Sequence, residues 1–177
     1  SKKITRIVVS TDDPKIKKIS QSLSAEVPFL RPKKFAKKNS LMIDVIKHTL
    51  NSLKSKFSYC PDIVSLLQPT TPFRNTSIID LSINQLIKSN ATRVISVSPI
   101  RQHPLISFRY IDNFLTSFSP YSEKNSNRQN REKLFYPTGA VYTFWTSTLQ
   151  KYDSIYGPKI KPIITNEPEL SIDIDEK

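Results

Sequence analysis

The segment Asp62-Ile63-Val64-Ser65-Leu66-Leu67 constrains the fold of this chain more than any other. It is a nearly continuous apolar run of strand length, and it lies between two stretches of helical period. From Ser40 to Phe57, residues Ile43, Ile46, Leu50, Leu53 and Phe57 recur every three or four positions with lysines between them, which makes one apolar stripe. Thr76 to Lys88 repeats the pattern through Ile79, Ile83, Leu86 and Ile87. A strand that is apolar on both faces must be covered on both, so residues 62–67 are expected to form a parallel strand at the centre of a sheet. Alternating strands and helices predict a layered α/β fold.

The same alternation runs through the rest of the chain. Ile4 to Ser10 is β-branched and reads as a strand that runs into a helix cap at Asp12 and Asp13, with Pro14 in the first helical turn. A helix over Lys15–Ser22 and an extended piece at Val27–Leu30 complete a strand-helix-strand unit. Further strands are predicted at Arg93–Val97, Ala140–Trp145 and around Ile160–Thr165, with a short helix near Thr146–Lys151. Between Pro99 and Tyr136 the apolar residues alternate with polar ones, and a polar stretch follows, which reads as a β-hairpin arm with a loop.

A chain of 177 residues suits one domain. No apolar run approaches the roughly 20 residues that a membrane span needs, and the start Ser1-Lys2-Lys3-Ile4 lacks a signal-peptide core, so no membrane partner and a cytoplasmic location are expected. The single cysteine, Cys60, excludes an internal disulfide and thiolate metal clusters, and it is expected to be a small buried residue. A net charge of +12 implies attraction to anions. The lysines come in scattered pairs without arginine-aromatic interleaving, so they read as solvated surface rather than a nucleic-acid platform. His48 and His103 read as packed or surface residues.

Two short patterns carry chemistry. Gln68-Pro69-Thr70-Thr71-Pro72-Phe73-Arg74 begins where the central strand should end, and ligands of open α/β sheets bind beyond those strand ends. Gln68 could read a base or sugar there and Arg74 could meet phosphate. Alternatively the turn simply caps the next helix through Asn75 or Thr76. In Ser171-Ile172-Asp173-Ile174-Asp175, strand period would set two carboxylates on one face roughly 7 Å apart, a hard oxygen pair suited to Mg²⁺. An acidic tail is the plainer reading of that pattern.

These patterns occur with Arg128-Gln129-Asn130-Arg131 and Tyr136-Pro137-Thr138-Gly139-Ala140-Val141-Tyr142. The set resembles the acylneuraminate cytidylyltransferases, which carry an L-Q-P-T-[ST]-P-x-R turn, an arginine-glutamine pair, a P-N-G-A-[IV]-Y strand and a terminal S-I-D-I-D in this order. Val8 to Asp13 is similar to the family's V-V-S-T-D-D, and Arg31-Pro32 followed by a helix is similar to its R-P segment. The resemblance implies a Rossmann-like nucleotidyltransferase fold, a three-layer sandwich with a mixed, mostly parallel sheet. It implies CTP and an acidic nonulosonic sugar as substrates, with Arg31 and Gln68 on the nucleotide. Gln68, Arg128, Gln129 and Tyr142 would face the sugar, and Asp173 and Asp175 would hold Mg²⁺ as the catalytic pair. An arginine fork suits the sugar carboxylate. The arm near residues 100–136 would serve a homodimer.

The sequence departs from the family at several points. Thr138 replaces the asparagine of P-N-G, Ile106 stands where a lysine is often found, and Met42 where a serine can occur, which leaves the acceptor open among sialic, pseudaminic and legionaminic acids. The family's opening strand and its A-R-x-G-S-K-G-x-x-x-K-N loop have no counterpart in this sequence. Its only glycines are Gly139 and Gly157, so no phosphate cradle stands elsewhere. The chain therefore reads as one nucleotidyltransferase-like domain over residues 1–177, N-terminally incomplete. The rival expectation is a catalytically silent fragment that dimerises or binds anions.

Overall fold

The computed structural model describes residues 1–119, 129, 131–172 and 174. Helix α1 (Pro14–Ser22) starts at Asp13, whose carboxylate accepts from the backbone N–H of Lys15 at 2.6 Å and of Ile16 at 3.4 Å. Pro14 at the first position has no N–H to orphan. Helix α2 (Met42–Phe57) ends on Ser58 in the left-handed conformation, with the Ser58 and Tyr59 amides returned to the carbonyls of Lys54 and Leu53. The connector then runs over the surface, so Cys60 is exposed and not buried as expected.

Strand β1 (Ile63–Leu66) leads to helix α3 (Thr76–Lys88), capped by Asn75, whose side chain accepts from Ile78 N–H at 3.0 Å. Strand β2 (Arg93–Pro99) follows. The predicted arm is a hairpin of β3 (Phe108–Ile111) and β4 (Phe114–Ser117), with Asp112 and Asn113 at positive φ in its two-residue turn. Strand β5 (Phe135–Trp145), helix α4 (Thr146–Tyr152) and strand β6 (Ile160–Ile164) complete the order, before a 3₁₀ turn at Pro168–Ser171.

The main sheet has the order β1-β5-β2-β6. Strand β5 is antiparallel to β1 and β2, and β2 is parallel to β6, so β1, β2 and β6 point one way and β5 the other. The sheet is mixed with most strands codirectional, as expected. Strand β1 is not central: β5 covers one side, and among the described residues its other side has no strand partner. An apolar run reports the faces of a strand and leaves its neighbours open. Ile4 to Ser10 is likewise no full strand. It meets the extended Glu26 segment at a single parallel bridge, Val8 to Glu26, with Glu26 N–H to Ile7 O and Val9 N–H to Glu26 O both at 2.8 Å.

Two apolar layers fix the sandwich. On one face Ile78, Ile79, Ile83 and Leu86 of α3 pack with Val94, Ala140, Val141 and Ile163. On the other, Ile46 of α2 and Leu149 of α4 pack with Phe144, Val64 and Leu66. Alternation along β1 explains the division: Ile63 faces α3, whereas Val64 and Leu66 face α2. Fully buried residues such as Phe144 and Leu86 each contribute about 1.5–3 kcal/mol. Beneath α3, the hydroxyl of Thr143 bonds those of Ser82 at 2.7 Å and Ser65 at 2.9 Å, so the polar atoms buried there are satisfied.

Candidate functional site at the carboxyl ends of the strands

Codirectional strands put the carboxyl ends of β1, β2 and β6 on one edge of the sheet. There the chain leaves β1 through Gln68 and turns sharply. The Arg74 guanidinium folds back on this turn: Nε and Nη2 donate to Thr71 O at 3.2 and 2.8 Å, and Nη2 also donates to Gln68 O. Arg74 thus braces its own loop through Nε and Nη2. Burial lowers its pKa from the usual arginine value.

Thr71 is fully buried, and its hydroxyl reaches Thr138 O at 3.4 Å. Opposite it, β5 carries a bulge against β2 between Ile95 and Val97. The Ser96 hydroxyl fills the irregularity, accepting from the Thr138 hydroxyl at 2.8 Å and from Val141 N–H at 3.1 Å. Gly139 has φ +79°, and a β-carbon there would lie 2.6 Å from Thr71 Oγ1 and 2.8 Å from Gln68 Oε1. The absence of a side chain lets the turn and β5 approach this closely.

The C-terminal segment reaches the same place. Leu170 is buried in the α3-side core, and Ile174 N–H donates to Thr70 O at 2.9 Å. The candidate carboxylates Asp173 and Asp175, and Arg128, lie outside the described residues. Among the described residues no three His, Cys, Asp or Glu side chains cluster as a metal site.

The remaining candidates are dispersed. Tyr142 pairs with Leu66 in the β1–β5 ladder, two residues before Gln68, and its ring lies 4.7 Å from the Arg93 guanidinium. Arg31 is tied to the start of α1, its backbone N–H on Thr11 O at 2.7 Å and its guanidinium on Asp12 at 3.4 Å. Asp13, the other acid of that pair, is spent on the helix cap. Gln129 is exposed.

Both histidines are packed. His103 accepts from Leu105 N–H through Nδ1 at 3.3 Å, and its Nε2 is 3.2 Å from Glu132 O. That pairing fits the tautomer with its proton on Nε2. His48 lies against Phe29 and Phe35, with ring centroids 5.3 and 5.0 Å away.

Sequence reasoning missed Arg93, which is fully buried between the rings of Tyr142 and Tyr156, the latter 4.1 Å away. Its signal was a cation opening the apolar run Arg93-Val94-Ile95. A cleft of about 500 Å³ lined by Thr92, Trp145, Thr148 and Lys151 lies at the amino end of β2, across the sheet from the turn.

The arrangement has a recognisable class. The fold is similar to that of CMP:2-keto-3-deoxy-manno-octonic acid synthetase solved with CTP, with a TM-score of 0.61 at 13% identity over 92% of this chain and 73% of that one. It is also similar to 4-diphosphocytidyl-2C-methyl-D-erythritol synthase from Anaerococcus prevotii, with a TM-score of 0.62 at 15% identity over 99% and 78% of the two chains. The fold is thus that of the Rossmann-like nucleotidyltransferases.

Residues 1–156 match the cytidylyltransferase family, and the chain belongs to it. It is 34% identical over 173 residues to CMP-N,N'-diacetyllegionaminic acid synthase of Legionella pneumophila, covering 96% of this chain and 72% of the relative. It is 27% identical over 180 residues to N-acylneuraminate cytidylyltransferase of Escherichia coli, all of this chain matching 41% of that protein. Among the described residues no helix is long and apolar enough to cross a membrane.

Proposed function

We propose that this protein transfers CMP from CTP to a nonulosonic acid and releases pyrophosphate. Family membership and the names of the relatives support the reaction class. The observation that carries the reading is the hydrogen bond from Ile174 to Thr70, which joins the C-terminal S-I-D-I-D segment to the L-Q-P-T-T-P turn. Two motifs about a hundred residues apart in sequence meet at the strand ends where α/β proteins bind nucleotides.

In this reading the anomeric hydroxyl of the sugar attacks the α-phosphorus of CTP. The new bond is oxygen to phosphorus, the bond to pyrophosphate breaks, and the hydroxyl proton is lost to solvent. Gln68 and Arg31 bind the nucleotide, with Gln68 also reaching the sugar beside Arg128, Gln129 and Tyr142. Asp173 and Asp175 would hold Mg²⁺, since their hard oxygens suit an ion that takes carboxylates together with water and phosphate oxygens. In that place the ion would supply charge neutralisation to the triphosphate and the departing pyrophosphate. The chain acts in the cytoplasm as a homodimer formed through the hairpin arm.

Calorimetric titration with CTP, with and without Mg²⁺, tests the reading, and metal-dependent affinity is expected. Pyrophosphate release is then followed across sialic, legionaminic and pseudaminic acids. Replacing Asp173 and Asp175 together with asparagine should abolish both signals, and unchanged turnover would refute their role.

A further inference from the structure

We infer that Arg74 is a positioning residue: its guanidinium closes the Gln68–Thr71 turn from within and thereby sets the Gln68 side chain and the Ile174 anchor point together. The inference rests on the proposed reaction only for its kinetic consequences.

The argument begins with donors. An arginine offers five N–H groups in a rigid fork, and here Nε and Nη2 together grip the single carbonyl of Thr71, while Nη2 also reaches that of Gln68. Turning this edge of the fork toward a phosphate would take both side-chain donors from Thr71 O and leave Gln68 O to the 3.4 Å bond from Thr71 N–H, in a half-buried turn, at a cost comparable to the bonds lost. Lysine carries the same charge but cannot bridge two carbonyls with this planar geometry.

What the turn then holds is specific. Residue 68 contributes the amide that lies over Gly139. Residue 70 contributes the carbonyl that takes Ile174 N–H at 2.9 Å. Residue 71 contributes the buried hydroxyl that reaches Thr138 O. Opening the brace would release three connections, two to β5 at Thr138 and Gly139 and one to the C-terminal segment at Ile174.

Two measurements test the inference. In the wild-type protein, the Arg74 Nε–H should stay in slow exchange when CTP and Mg²⁺ are added; accelerated exchange, which would mean that the fork leaves the Thr71 carbonyl for the ligand, would overturn the inference. In Arg74→Lys, amide exchange at Thr71 and Ile174 should rise by about tenfold or more. The kcat/KM for the sugar should fall by about a hundredfold, as misplacement rather than lost charge would cause. Unchanged amide exchange with weakened CTP binding would also overturn it. If the wild type shows no metal-dependent CTP binding, the proposed reaction fails, whereas the exchange rates still decide the role of Arg74. Failure of Arg74→Lys to fold leaves the wild-type spectrum decisive.

Discussion

The side-chain amide of Gln68 lies directly over Gly139, so close that a β-carbon there would stand 2.8 Å from Oε1. The contact locks the turn after β1 onto β5 and explains why the site requires glycine at this position. The second glycine, Gly157, is equally crowded, with a β-carbon meeting Thr92 Oγ1 at 2.6 Å, but it lies at the opposite end of β2.

The two glycines therefore make a matched pair of variants. Both have positive φ, +79° and +63°, so alanine at either costs about 1–2 kcal/mol in the backbone alone. Gly139→Ala and Gly157→Ala are both expected to lower the urea midpoint. Only Gly139→Ala should also weaken nucleotide or sugar binding, as read by titration, because only there does the new methyl displace Gln68 and Thr71.

Arg93 supports a second prediction. It is fully buried and, among the described residues, has no salt-bridge partner; Nη1 donates to Ile155 O at 3.2 Å, and beyond the Tyr156 side chain Nε and Nη2 have no acceptor there. Burial lowers its pKa, and the neighbouring Tyr156 and Tyr142 oppose that shift. The stacked rings supply attraction at a site where an unpaired charge is otherwise costly. Arg93→Met keeps the volume and removes the desolvated charge, so its stability should lie within about 1.5 kcal/mol of wild type. Arg93→Ala leaves a cavity and should lose about 2–5 kcal/mol, both being measured by urea unfolding.

How much of this was legible in the sequence follows from the range of each interaction. Local signals were: Asp13 and Asn75 cap the helices that their positions announce, α2 and α3 keep the apolar stripes, and the arm is a hairpin. Pairing across the sheet was not. The run at residues 62–67 predicts two covered faces, yet its place at the sheet edge depends on β5, which lies about eighty residues away in sequence. Ile4 to Ser10 has strand composition, but among the described residues it pairs with the Glu26 segment alone. At the site, the L-Q-P-T-T-P-F-R string announces a turn at a strand end, while the direction of Arg74 depends on two carbonyls that converge only once the turn has closed. Gln68 and the Ile174 segment meet the same turn, whereas Arg31 is bonded to Asp12 and Thr11 beside α1.

His48 makes stability depend on pH. Burial lowers its pKa first, and the nearby cations Lys34, Lys56 and Arg31 push it the same way. Phe29 and Phe35 flank the ring, Ser52 Oγ is 3.4 Å from Nε2, and Nδ1 is buried without a partner among the described residues. The unfolded chain therefore takes up a proton at higher pH than the fold does. The stability present above the ordinary histidine range is lost as pH falls from that range through the lowered folded value. Urea midpoints should decline across that interval in the wild type. His48→Gln, which cannot take up the proton, should flatten the decline, and an unchanged slope would place the sensitivity elsewhere.

The hairpin supports the last prediction. Both strands are exposed along nearly their whole length, with Phe114 at 74%, Tyr110 at 72% and Leu115 at 68%. A two-stranded hairpin is marginal in water unless something packs on it. Six large apolar side chains, Phe108, Tyr110, Ile111, Phe114, Leu115 and Phe118, are held out on this one short element. Cross-strand pairing puts Phe108, Tyr110 and Leu115 on one face of the hairpin and Ile111 and Phe114 on the other. A second copy across a two-fold axis would bury the Phe108, Tyr110 and Leu115 face against its own counterpart. Sedimentation of the wild type should therefore give a dimer, and Tyr110→Glu combined with Leu115→Glu should give a folded monomer. Those two side chains are remote from both apolar layers of the sandwich, so the melting temperature of the monomer should change little beyond the loss of the interface. A wild type that sediments as a monomer at all accessible concentrations would remove the arm from any role in assembly.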